Sequence, residues 1–139
     1  MKINPYLVFD GKCAEAFKFY EQTLGGEIVM MMKMKDSPMA EECSPGMQDK
    51  IMHVRLVVGD QVLMGSDSPP EYFEKQQGMS VSLNVDTPEE AERIFAALSE
   101  NARIIMAITE TFWAHRFGML VDRFGTPWML NCEKPMKPE

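Results

Sequence analysis

Apolar and polar positions along this chain change their period from two to nearly four and back again. The change occurs twice, in the same order. Residues 3–9 are a short apolar run, read as a strand. Asp10-Gly11 turns the chain and offers a cap to the next element. Cys13, Ala16, Phe17, Tyr20 and Leu24 then fall at helical spacing, which predicts an amphipathic helix over about 12–24. Gly25-Gly26 ends it. Ile28, Met30, Met32 and Met34 alternate with Val29, Met31, Lys33 and Lys35, a half-exposed strand. Residues 36–48 hold Pro, Gly, Ser and acidic groups and read as a loop. Residues 51–58 and 61–66 form a hairpin across Gly59-Asp60.

The second half repeats this order. Residues 79–85 are a strand. Thr87-Pro88-Glu89-Glu90 supplies a Thr cap, Pro at the first helical position and Glu three residues after the cap, the pattern of a capping box. Ala91, Ile94, Phe95 and Leu98 form the apolar face of a helix over about 88–100. Residues 103–109 are a strand, and residues 116–132 are a closing hairpin that turns at Phe124-Gly125. Each half therefore reads strand-helix-strand-strand-strand. The expected fold is α+β: one domain over 1–139, with a first βαβββ module at 1–67, a linker at 68–77 and a second βαβββ module at 78–139.

A four-stranded half-sheet must cover its own helix with one face. The other face is free to curl around a cavity, expected here between the halves. In the third strand, Met52, Val54, Leu56 and Val58 are assigned to the helix, and His53, Arg55 and Val57 to the free face. In the seventh, Arg116, Gly118, Leu120 and Asp122 oppose Phe117, Met119 and Val121, and Arg116 is assigned to the free face. Met64 and Met129 hold equivalent places in the two hairpins, one residue after Leu63 and Trp128, and are expected in the cavity floor.

Composition narrows the choice of partners. A formal charge of -7 and a pI near 4.9 argue against nucleic acid or an anionic membrane, since both reward a basic face. No window of about 18 apolar residues exists to span a bilayer. Three widely spaced cysteines (Cys13, Cys43 and Cys132) fit a reducing cytoplasm, not a disulfide framework. Neighbouring acids hold the Cys43 thiol unreactive, and Cys13 and Cys132 read as core residues. No two of the nine glycines stand at Gly-x-Gly spacing, so the usual S-adenosylmethionine turn, the dinucleotide fingerprint and the P-loop are all missing.

The segments Pro5-Tyr6-Leu7-Val8-Phe9-Asp10-Gly11, Ala14-Glu15-Ala16-Phe17-Lys18-Phe19-Tyr20, Leu24-Gly25-Gly26, Met52-His53 and Met64-Gly65-Ser66-Asp67 carry a family resemblance. So do Thr111-Phe112-Trp113, Phe117-Gly118 and Asp122-Arg123-Phe124-Gly125-Thr126-Pro127-Trp128. Together with the paired modules, they make the chain similar to the vicinal oxygen chelate superfamily, which includes glyoxalase I and the fosfomycin and bleomycin resistance proteins. More narrowly, it resembles the PhnB-like branch, labelled as a 3-demethylubiquinone-9 3-methyltransferase domain. The resemblance implies the two-module fold, a homodimer and, in metal-using members, one ligand on the first and last strand of each half. Here those positions fall at or next to Ile3, Met64, Ser80 and Met129, with Asn4 or Met79 reached by a slip of one. None is a His or carboxylate, so no metal and no cofactor is expected.

What remains is a small set of polar groups. His53 is the candidate acid-base group, or a donor to a ligand; the bland alternative is an imidazole satisfied by a carbonyl. Arg55, Met64, Asp67, Trp113, His115, Arg116 and Met129 are the candidate ligand-binding residues, with Arg116 able to clamp a carboxylate or phosphonate. Trp113 and the Met-rich second strand could instead form a dimer interface. Two cations and an imidazole in an acidic protein point to a small anionic or carbonyl-bearing ligand. The alternative is a metal-independent isomerase, lyase or group-transfer enzyme with His53 as base.

Overall fold

The structure, a computed structural model, describes residues 1–135. It divides into two compact units, Met1–Lys75 and Gln76–Glu139. Module 1 contains β1 (Tyr6–Phe9), α1 (Cys13–Leu24), β2 (Glu27–Lys33), β3 (Ile51–Val58) and β4 (Gln61–Asp67). Module 2 contains β5 (Val81–Asn84), α2 (Pro88–Leu98), β6 (Arg103–Thr109), β7 (Ala114–Val121) and β8 (Pro127–Glu133). The strand orders are β1-β4-β3-β2 and β5-β8-β7-β6. In each sheet the first and last strands of the module pair in parallel, and the other pairs are antiparallel. The fold is the α+β arrangement of two βαβββ modules that the periodicity predicts. Among the described residues, no helix is long and apolar enough to cross a membrane.

Each helix closes one face of its sheet. In α1, Cys13, Ala16, Phe17, Tyr20 and Thr23 are buried, and Phe17 meets Phe9 and Tyr20 edge-on at 5.9 and 5.6 Å. In α2 the buried set is Ala91, Ile94, Phe95 and Leu98. Two glycines mark where the helices press closest. A Cβ at Gly65 would stand 2.7 Å from the Phe17 ring, and one at Gly118 would stand 2.7 Å from the Phe95 ring. Bare backbone at these two points lets an aromatic ring sit directly on the sheet.

Those contacts fix which face is which, and they overturn two assignments. On β3, Met32 pairs with His53 but Lys33 pairs with Ile51, so Met52 is bulged out of register. Ile51 then takes the buried place expected of Met52, beside Val54 and Leu56. On β7, Gly118 lies under Phe95 and Leu120 is buried, so Arg116 shares the helix-covered side. Phe117, Met119 and Val121 face away from α2. Alternation alone reverses this strand because it scores Gly118 as a non-core position.

The ends of the helices also differ from expectation. Asp10 does not cap α1; Lys12 is the N-cap, and its side chain makes no capping bond. The first N–H of the helix, at Cys13, is met by Asp67 Oδ1 from the end of β4 at 3.0 Å. Gly25 ends α1 in the left-handed conformation, as expected. In α2, Thr87 Oγ1 accepts from the Glu90 N–H at 3.2 Å. The Glu90 carboxylate pairs with Arg93 at 2.6 Å.

Candidate functional site

The free face of each sheet is read from its cross-strand register. In module 1, Tyr6 pairs with Met64, Met64 with Arg55, and Arg55 with Met30. These four side chains form one row across β1, β4, β3 and β2. The row lies on the face opposite α1, because Gly65 and Val54 pair with each other under the helix. His53 stands two residues along β3 from Arg55 and therefore on the same face. Tyr6 and His53 close the group: their rings stack with centroids 5.8 Å apart, and the Tyr6 hydroxyl is 3.4 Å from His53 Nδ1. The fold thus brings together three residues singled out from the sequence (His53, Arg55 and Met64) and two that are not, Tyr6 and Met30.

Arg55 is the unusual member. It is half-buried and flanked by two methionines, yet among the described residues its guanidinium makes no ion pair or hydrogen bond. Arg116, by contrast, is held by Glu92. A guanidinium set in an apolar row without a counter-charge is an unfavourable arrangement unless something else supplies the charge.

Other candidates lie elsewhere. Asp67 serves the fold and not the open face. It is buried, with Oδ1 accepting from Cys13 N and Oδ2 from Ile51 N at 2.9 Å. That carboxylate joins α1 to β3. Burial, and after it the nearby Asp67 charge, pushes the Cys13 thiol well above the ordinary range. Arg116 Nε donates to Glu92 Oε1 of α2 at 2.8 Å, and its Nη1 donates to the His115 carbonyl at 2.6 Å. The guanidinium therefore belongs to the helix side of module 2. His115 sits where the β7–β8 register shifts and is half-buried. Trp113 precedes β7 and packs edge-on against Phe112 and Phe117, at 4.8 and 5.3 Å.

Met129 occupies in module 2 the row position that Met64 holds in module 1. Its neighbours are Ser82, Met119 and, through Met119, Met106. The partners of Met64 and Met129 on the first strands are thus Tyr6 and Ser82, not Ile3 and Ser80. The shift arises because β1 begins only after Pro5, and Ile3 is 90% exposed. Thioethers, a phenol and a serine hydroxyl are a poor donor set for the divalent ion that the resemblance implies for metal-using relatives. Among the described residues, no three His, Cys, Asp or Glu side chains converge. The residues present do not fit that metal.

Paired βαβββ modules, each with its helix on one face and a free face opposite, define the vicinal oxygen chelate fold. The fosfomycin resistance protein FosX from Listeria monocytogenes shares this fold, with a TM-score of 0.64 at 8% identity over 96% of this chain and 94% of that one. The chain belongs to the family described as 3-demethylubiquinone-9 3-methyltransferase, whose profile matches residues 1–131. It is 50% identical to the crystal structure of PA1353 from Pseudomonas aeruginosa, with a TM-score of 0.89 over 97% of this chain and 99% of that one. The PhnB protein from Bacillus cereus is 28% identical, with a TM-score of 0.80 over 95% of this chain and 99% of that one.

Proposed function

We propose that this PhnB-like protein binds a small anionic or carbonyl-bearing molecule on the open face of module 1, without the metal that other members of the fold use. Arg55 supplies the positive charge. Tyr6 and His53 supply a hydroxyl and an imidazole that orient a second polar atom of the ligand. Met30, Met32 and Met64 supply an adaptable apolar surface for its carbon skeleton. The observation that carries the reading is Arg55: half-buried between methionines with no counter-ion of its own among the described residues. A guanidinium offers two parallel N–H donors to a carboxylate or phosphonate, a match that lysine does not reproduce.

The test is a thermal-shift panel of small carboxylates, phosphonates and uncharged carbonyl compounds, run with and without added divalent ions. A ligand that binds the native state raises the midpoint with its concentration over its dissociation constant. The reading expects anions or carbonyl compounds to stabilise the protein equally with and without metal. Stabilisation that appears only with metal, or that persists undiminished in Arg55→Gln, overturns it.

A further inference from the structure

The open face of module 2 carries a polar pair at its edge. Asn84 on β5 pairs in register with Asn131 on β8, and Asn131 with Phe117 on β7. Asn131 is 9% exposed. Its Nδ2 donates to Asn84 Oδ1 at 2.9 Å and to Glu133 Oε1 at 3.3 Å. An ionised carboxylate only accepts, so Glu133 fixes which end of the Asn131 amide carries the nitrogen. The other end, Oδ1, is buried and makes no hydrogen bond. A buried carbonyl left unpaired costs stability, and such groups are few in native proteins. Asn84 is exposed and turns its own oxygen to Asn131, and among the described residues its amide N–H2 makes no hydrogen bond. The pair thus presents one acceptor and one donor. Beside it stands Phe117, against which Trp113 packs edge-on, with Phe112 beyond.

We infer that Asn131 Oδ1 and Asn84 Nδ2 form a binding site for the amide edge of a planar aromatic carboxamide or lactam. The ligand N–H meets the orphaned Asn131 oxygen, the ligand carbonyl accepts from Asn84, and its ring lies on Phe117 and Trp113. Glu133 beside the pair disfavours a carboxylate at the same place. Asn131 Oδ1 is closed to solvent in the unliganded protein, so the side chains around it must part as the ligand enters. The residues of this site all belong to module 2.

The experiment is a titration of the isotope-labelled full chain, followed by the side-chain amide signals of Asn84 and Asn131 and the indole signal of Trp113. Three probes share one ring: benzamide, acetophenone (carbonyl without N–H) and benzoate (anion). Benzamide should shift all three signals, with acetophenone and benzoate about tenfold weaker or more at these positions. Asn84→Ala, an exposed substitution, should weaken benzamide by about tenfold. Equal binding of benzamide and acetophenone, shifts that spare Asn84 and Asn131, or an unchanged affinity in Asn84→Ala each overturns the inference. The probe comparison on the unaltered chain decides the matter even if the variant folds poorly.

Discussion

The two modules share one backbone plan and put different chemistry on it. Tyr6, Met64, Arg55 and Met30 in module 1 stand where Ser82, Met129, Met119 and Met106 stand in module 2. The next row pairs His53 with Met32 in one and Phe117 with Thr109 in the other. Registers, helix positions and even the irregular second strands correspond. The charge does not: the open face of module 1 holds a guanidinium and an imidazole, and the matching positions of module 2 hold a methionine and a phenylalanine. A repeated frame leaves its core positions under the same packing demand in both copies. Its open faces carry no such demand, so they are where the side chains of the two copies diverge.

Each module also buries an aspartate at a strand end, and the pair gives the sharpest way to break the comparison. Asp122 accepts from the backbone N–H groups of Phe124 and Thr126 and from Trp128 Nε1, at 2.9, 3.0 and 2.8 Å. Asp67 accepts from Cys13 and Ile51. Replacing either with Ala strands buried donors. Denaturant unfolding should show a loss of about 4 kcal/mol for Asp122→Ala and about 3 kcal/mol for Asp67→Ala. Near-equal stability of either variant and the parent would show that these carboxylates are not what ties the hairpin and the helix in place.

Gly118→Ala comes next. Its new methyl would press on the Phe95 ring, costing about 2 kcal/mol by overpacking. A neutral result would mean that α2 does not sit tightly on β7. Thr87→Ala should cost about 1 kcal/mol, since α2 relies on that hydroxyl for its first turn. Among the thiols, only Cys43 is not buried. A thiol reagent should label at most one cysteine per native chain, Cys43, and slowly because of its acidic neighbours, with Cys13 and Cys132 reacting only on unfolding. Rapid labelling of Cys13 would contradict its burial beside Asp67.

The frame is legible in the sequence because it is written in periodicity. Cys13 to Leu24 and Ala91 to Leu98 repeat at helical spacing, and Gly25, Thr87 and Pro88 mark ends by local chemistry. The strand faces are less legible. Met52 enters a bulge that no alternation announces, and Gly118 owes its place to the bulk of Phe95, a residue distant in sequence. The reversal of Arg116 follows from that one glycine. His53, Arg55 and Met64 can be found because β3 is regular beyond its bulge. Tyr6 escapes any reading that starts the first strand at residue 3; beginning it after Pro5, whose missing N–H suits a strand edge, puts Tyr6 opposite Met64. Asp67 looks like a ligand residue and is a helix cap, since a carboxylate that caps from another strand leaves no local signature. The Asn84–Asn131 pair, 47 residues apart, has no sequence signal short of the full register.

The central claim is that Arg55, and not Arg116, is the cation that meets a ligand. The most direct measurement is the dissociation constant of the strongest anion from the thermal-shift panel, titrated calorimetrically against the parent chain, Arg55→Gln and Arg116→Gln. A loss of about tenfold or more is expected for Arg55→Gln and an unchanged constant for Arg116→Gln, whose partner is Glu92 on α2. Unchanged binding in Arg55→Gln, or a loss confined to Arg116→Gln, would contradict it.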